Sequence, residues 1–136
     1  MNRIPSDTLV VVADGEGARV FRNTGSALQP SLQQLDLLEL VNMNDDGPSG
    51  SIGAEASGQD INEATFAKQL AQGLNDGALK DQYEHLLLVA DPQTLGRVRP
   101  LLHKQTQQRL IGELAKTLTN ARLEDIERTL TIYAAA

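Results

Sequence analysis

Two carboxylates, Asp14 and Asp91, each follow a run of apolar residues and stand directly before a turn. The runs, residues 9–13 and 86–90, lack polar alternation, which is typical of strands buried on both faces. If the strands are parallel neighbours, both carboxylates lie at one edge of the sheet, where ligands of α/β proteins collect. Two such groups could hold Mg²⁺ for a nuclease. The plainer interpretation is that Asp14 shapes a turn and Asp91 caps a helix.

A second chemical signal is the excess of basic residues between positions 92 and 122. This stretch holds six basic side chains and one acidic one, a local balance of +5 in a chain of net charge −6. Such a stretch fits phosphates or RNA, and the plainer interpretation is a basic solvated surface. Base stacking has few candidates, because the chain has two Phe, two Tyr and no Trp. The predicted basic patch consists of Arg97, Arg99, Lys104 and Arg109.

Other catalytic and metal-binding patterns are missing from the sequence. Without Cys, neither a disulfide nor a thiolate metal site can form. His85 and His103 are the only histidines, and neither has partners at metal-ligand spacing, so we expect both at surface or boundary positions. No phosphate-binding loop, dinucleotide fingerprint or nucleophile elbow occurs. We therefore expect no metal, no small-molecule cofactor, and binding rather than catalysis.

Residues 43–60 interrupt the apolar pattern. They contain four Gly and little apolar surface, and such a composition cannot bury enough to order itself. The sequence thus predicts a flexible Gly/Ser-rich loop. A structureless loop of this length inside a domain is usually functional or disordered, and a tolerated insertion is the equal alternative.

The first half of the chain has the pattern of a β-meander followed by a helix. We expect a strand over 8–13, a hairpin partner over 18–23, and a Leu-rich third strand over 32–41, for which a helix is the alternative. Asp60 is a helix cap, and Glu63, three residues later, completes a capping box.

The second half alternates strand and helix. The buried strand over 86–90 leads into Asp91-Pro92, a helix start with the carboxylate at the cap and Pro at the first helical position. Pro100 divides this helix into two short pieces. Thr119 or Asn120 is expected to cap the final helix.

A last strand is predicted over 109–118, with a helix as the alternative. Strand alternation would turn Leu110, Gly112 and Leu114 to one side and Ile111 and Glu113 to the other. The element order predicts a single α/β domain over residues 1–136, with a mixed sheet of about five strands and helices on both faces. No run approaches the roughly 18 apolar residues of a membrane span, and the N-terminus has no apolar signal region, so we expect a cytoplasmic protein without membrane contact.

Four segments resemble the bacterial host attachment protein family. They are residues 11–21, 66–70, 87–99 and 113–119. The third is the most specific, since it carries Ala-Asp-Pro, then Leu-Gly, then a basic residue before the next helix. In the fourth, Thr117 stands where the family usually has Asp. The resemblance covers nearly the whole chain outside the loop, and it implies a role in attachment to host cells, which we expect to be indirect.

That family is similar to the middle domain of the archaeal and eukaryotic translation termination factor, which implies the same α/β fold. In that factor, a Gly-Gly-Gln loop precedes a helix containing Phe-Ala and helps to release the peptide from tRNA. Here Ser57-Gly58-Gln59 precedes the helix containing Phe66-Ala67. Ser57 replaces the first Gly, and the spacing to Phe66 looks longer. The resemblance makes Gln59 the candidate catalytic residue.

Three hypotheses follow. The first is a non-catalytic binding protein that acts on RNA or a translation-related partner such as the ribosome or tRNA. The second is a hydrolase, either release-like through Gln59 or a metal nuclease through Asp14 and Asp91. The third is a protein-interaction module, such as a homodimer formed through an exposed sheet edge.

Overall fold

The structure, a computed structural model, describes residues 2–35 and 59–136, with side chains described for residues 2–35 and 63–136. The described residues form five strands, one 3₁₀ turn (Arg99–Leu101) and four helices. In chain order the strands and helices are β1 (Leu9–Ala13), β2 (Ala18–Asn23), β3 (Leu32–Leu35), α1 (Gln59–Leu79), β4 (Leu86–Ala90), α2 (Pro92–Val98), α3 (Lys104–Arg109), β5 (Leu110–Ala115) and α4 (Leu123–Ala135).

The five strands form one mixed sheet in the order β3-β2-β1-β4-β5. The central strand β1 is antiparallel to β2 and parallel to β4, so that Ala13 lies opposite both Ala18 and Ala90. β3 continues the meander antiparallel to β2, and β5 is parallel to β4. The predicted α/β fold with a mixed sheet of about five strands is therefore confirmed.

Two apolar cores cover the two faces of this sheet. Every residue of β1 and β4 is buried, as their unbroken apolar runs predict. Because side chains alternate along a strand, Val11 packs with α1 and α2 on one face, while Val12 packs with α4 on the other. The prediction of helices on both faces is confirmed.

The last strand departs from simple alternation. Leu86 pairs with Leu110, but Leu87 pairs with Gly112, so one extra residue is accommodated in β5. This irregularity changes the phase of the strand: Leu110 packs on the α1 face, whereas Leu114 packs on the α4 face. The prediction that both leucines share one face was wrong. Gly112 allows a close approach of α4, because a Cβ there would overlap the Tyr133 hydroxyl, which would have to move.

Several predicted boundaries also change. α1 begins at Gln59, so Asp60 lies inside the helix and the prediction that it caps the helix was wrong. α4 begins at Leu123 with Arg122 as its cap residue, so neither Thr119 nor Asn120 caps it. The third strand is described only as far as Leu35, and most of the predicted loop 43–60 lies outside the described residues. No helix in the described ranges combines the length and the apolar character needed to span a bilayer.

Candidate functional site

The parallel pairing of β1 with β4 brings the two strand-end aspartates to one edge of the sheet. The strands end together at the pair Ala13 and Ala90, and Asp14 and Asp91 are the next residues. We call this the carboxyl edge, meaning the side of the sheet at which β1, β4 and β5 end. The condition for bringing the two aspartates together, that their strands are parallel neighbours, is met in the structure.

Asp14 uses both carboxylate oxygens to shape the turn between β1 and β2. Oδ1 accepts the backbone N–H groups of Glu16 at 2.7 Å and Gly17 at 2.9 Å. Oδ2 accepts the hydroxyl of Thr119 at 2.6 Å. Burial raises the pKa of Asp14, but the three hydrogen bonds together outweigh it and leave that pKa below its usual value. Asp14 therefore stays ionised and joins the turn to a segment 105 residues away.

Asp91 caps α2. Its two oxygens accept the backbone N–H of Thr94 at 3.1 Å and the hydroxyl of the same residue at 2.7 Å. The Asp91-Pro92 start therefore works as the sequence predicts. Within residues 2–35 and 63–136, no group of three or more His, Asp or Glu side chains is arranged to hold a metal ion. The observed hydrogen bonds are those of a turn residue for Asp14 and of a helix cap for Asp91.

A contact that the sequence did not predict joins α1 to the same edge. The Glu63 carboxylate accepts a hydrogen bond from Arg97 of α2 at 2.9 Å, with only 17% and 24% of the two side chains exposed. Gly15 lies directly against this pair, since a Cβ at that position would stand 2.6 Å from Cδ of Glu63. We call Gly15, Glu63 and Arg97 the clasp. It holds the first turns of α1 at the carboxyl edge.

Of the segment Ser57-Gly58-Gln59, which resembles the Gly-Gly-Gln loop, the structure describes only the backbone of Gln59. Ser57 and Gly58 lie outside the described residues, as does the side chain of Gln59. Gln59 begins α1, one helical turn before Glu63, so the helix start lies at the carboxyl edge. Ala67 is buried and Phe66 packs against the same core.

The four residues of the predicted basic patch are in different electrostatic situations. Arg97 pairs with Glu63, and Arg99 forms a bidentate contact with Glu113, at 2.5 Å from Nη2 and 3.2 Å from Nε. Arg109 pairs with Asp81 at 3.1 Å, donates to the carbonyl of Tyr83, and lies over the Tyr83 ring. Among the described residues, Lys104 is the member of the patch without an ion pair. Hydrogen bonding and the charge of Glu113 raise the pKa of Arg99.

A pocket of about 370 Å³ opens at the carboxyl edge beside the β1–β2 turn. It is formed where the loop of residues 116–122, which we call the β5–α4 loop, returns across the end of β1. Its lining residues are Asp14, Glu16, Gly17, Ala18, Arg19, Thr119 and Asn120. Sequence reasoning did not find this pocket, because its two sides are about 100 residues apart in the chain.

The profile of one protein family, the bacterial archaeo-eukaryotic release factor family 12, matches residues 7–130. The chain belongs to this family. Membership confirms the release-factor likeness that the segments indicated, whereas the host attachment label has no counterpart in the family's description and stays a prediction. A comparison with curated proteins gave no significant match.

Proposed function

We propose that the protein is a non-catalytic binding protein of the translation apparatus, with the ribosome or tRNA as its partner. The observation that carries this proposal is membership of a release factor family over residues 7–130. Release factors act on the ribosome, so an RNA-rich partner is the natural expectation. Such a partner implies a cytoplasmic place of action.

The carboxyl edge supports binding rather than chemistry. Both oxygens of Asp14 and both oxygens of Asp91 accept hydrogen bonds that hold a turn and a helix start. A nuclease would need the same oxygens as metal ligands, so a bound metal would compete with the hydrogen bonds that hold the turn and cap α2. Their structural engagement therefore argues for a scaffold that presents a surface.

Within the predicted basic patch, Arg99 and Lys104 are the residues best placed to meet a phosphate. Arg99 has 57% of its side chain exposed and Lys104 is exposed, whereas Arg97 and Arg109 are each 24% exposed and ion-paired. Phosphate would compete with Glu113 for Arg99, since guanidinium binds both anions through the same pair of donors.

Co-sedimentation with ribosomes across a salt series tests the proposal. We expect the wild-type protein to pellet with ribosomes at low salt and to be released as salt rises, because phosphate contacts displace counterions. Arg99→Glu/Lys104→Glu should weaken pelleting at every salt concentration. Arg128→Glu is a suitable control, because Arg128 is 71% exposed on α4, away from the patch. If the wild-type protein stays in the supernatant at low salt, the proposal fails.

A release-like hydrolase is the second candidate function. It is favoured by the position of Gln59 at the first residue of α1, with Phe66 and Ala67 anchoring the helix in the core. The test is release of a labelled peptide from peptidyl-tRNA on ribosomes, comparing wild type with Gln59→Ala. Release by the wild type that the substitution abolishes would establish this function. Equal background rates for both proteins would exclude it.

A homodimer through a sheet edge is the remaining expectation. Among the described strands, β3 and β5 each pair with one neighbouring strand. The Glu127 carboxylate accepts the Leu32 N–H of β3 at 2.7 Å, so β5 has the more accessible backbone edge. Sedimentation velocity over a wide concentration range decides this point. A single monomeric species at the highest concentration would rule the dimer out.

A further inference from the structure

The β5–α4 loop carries two cations that form no ion pair with any described residue. Lys116 and Arg122, at its two ends, are exposed. Neither forms an ion pair or a side-chain hydrogen bond with any residue in the described ranges. This distinguishes them from Arg97, Arg99 and Arg109, which are all paired with carboxylates.

The loop is held in one conformation by contacts to the sheet. Nη1 of Arg19 donates to the carbonyls of Thr119 at 3.1 Å and Ala121 at 2.7 Å. The Thr119 hydroxyl donates to Asp14, and Leu118 packs with Ala121 against the α4-side core. A loop that is already ordered loses little conformational entropy when it binds a partner.

The anchored residues face inward and leave a polar outer surface. The exposed side chains of the loop are Lys116, Thr117, Asn120 and Arg122. They combine two cations with hydroxyl and amide groups, which are the side chains that contact phosphate and sugar oxygens in nucleic-acid complexes. The Cα atoms of Lys116 and Arg122 can be at most about 20 Å apart. The turn closed by Ala121 N–H and the Leu118 carbonyl makes the separation smaller.

We infer that the β5–α4 loop is a binding surface for an RNA phosphodiester backbone, with Lys116 and Arg122 on phosphates and Asn120 hydrogen-bonded to an adjoining sugar or base. The inference rests on the proposed function and names the contact residues at the carboxyl edge. Asn120 also lines the 370 Å³ pocket, so a nucleotide next to the bound phosphates can enter it. Glu16, on the far side of that pocket, repels phosphate and limits the path of the backbone.

The test uses purified full-length protein and fluorescently labelled tRNA as the probe, with affinity measured across a salt series. Lys116→Gln/Arg122→Gln removes the two proposed contacts. Lys80→Gln/Arg128→Gln removes two other exposed cations, at the end of α1 and on α4, with the same change in net charge. Each lost phosphate contact lowers the salt slope by about one, so we expect the loop pair to lower it by about two. The affinity at low salt should fall by about tenfold, while the control pair stays near wild type.

A third variant tests the anchoring of the loop rather than its charge. Thr119→Val replaces the hydroxyl bonded to Asp14 by a methyl group of similar size and leaves every cation in place. We expect weaker tRNA binding with an unchanged salt slope, because the same phosphates are contacted by a loop that must first be ordered. Circular dichroism of the two cation pairs should match the wild type, because the substituted side chains are exposed. The Thr119→Val spectrum should also match, because the substitution affects a loop outside the helices and strands.

The outcomes separate this inference from the function on which it rests. Equal losses in the loop pair and the control pair would overturn the loop assignment, because binding would then depend on net charge alone. If the wild type binds tRNA or ribosomes and only Arg99→Glu/Lys104→Glu weakens binding, the loop assignment fails and the proposed function stands. If the wild type binds neither tRNA nor ribosomes at low salt, both are wrong.

Discussion

The substitution Gly15→Ala should push Glu63 away from Arg97 and destabilise the protein, whereas Gly17→Ala should not. A Cβ at Gly15 would stand 2.6 Å from Cδ and 2.7 Å from Cγ of Glu63. Ordinary van der Waals contact between carbon atoms is about 3.5–4.0 Å. Glu63 must therefore move by roughly 1 Å, which breaks or lengthens its 2.9 Å contact with Arg97. At Gly17, by contrast, nothing lies within 4 Å of the added carbon.

The size of the effect follows from the exposure of the ion pair. A hydrogen bond to a charged group contributes about 1.5–3 kcal/mol when buried. Because the Glu63 and Arg97 side chains are partly exposed, about 1–1.5 kcal/mol is the better figure. Replacing glycine by alanine stabilises the folded state by about 0.5 kcal/mol, because it lowers the conformational entropy of the unfolded chain. Neither glycine has a positive φ, so the backbone at both positions accepts alanine. Gly15→Ala should thus be about 1.5 kcal/mol less stable than Gly17→Ala.

Urea unfolding followed by far-UV circular dichroism measures this difference, since the chain has no Trp for fluorescence. The comparison should be repeated in a Glu63→Ala background, where the obstructing side chain is gone. There, Gly15→Ala should become neutral or slightly stabilising, which gives a coupling energy of about 1.5 kcal/mol. If Gly15→Ala and Gly17→Ala are equally stable, the clasp does not hold α1 in the way we describe.

Three further predictions concern stability. Asn75→Ala leaves the Leu101 carbonyl and the His103 N–H without their partner and should cost about 3 kcal/mol by urea unfolding, well above the cost of changing a surface Asn. Burial raises the pKa of Tyr83 from 10.0 to about 12, so the folded state favours the neutral hydroxyl. The folding stability of about 2 kcal/mol linked to this preference is fully present below pH 10 and is lost as pH rises through 12. An alkaline stability curve that is unchanged in Tyr83→Phe would contradict this. Asp91→Ala should cost about 1 kcal/mol through the lost α2 cap, and an unchanged urea midpoint would count against that role.

The features that the sequence predicted correctly depend on local or strongly periodic patterns. The unbroken apolar runs of β1 and β4 can be buried only at the centre of a covered sheet, which indicated the α/β class. Asp91-Pro92 forms a helix start through neighbours within three residues. Such signals survive in any tertiary context, because the groups that satisfy them are adjacent in the chain.

The predictions that failed depended on neighbours distant in sequence. Thr119 has the residue type of a helix cap, yet its hydroxyl is bonded to Asp14 across 105 residues and α4 begins later. Alternation in β5 predicted one shared face for Leu110 and Leu114, but the irregular pairing with β4 changed the phase between them. In both cases a distant partner outweighed the local preference.

The sequence by itself determined the class of fold, the two central strands and the helix start at Asp91, because burial and capping follow from residue type and spacing. Only the tertiary structure decided which charges are available to a partner. In the sequence, Arg97 and Arg109 cannot be distinguished from Lys116 and Arg122. In the structure, Arg97 and Arg109 are ion-paired with Glu63 and Asp81 and only 24% exposed. Lys116 and Arg122 are exposed and form no ion pair with a described residue. Electrostatic neutralisation depends on distance in space, and sequence position does not encode that distance.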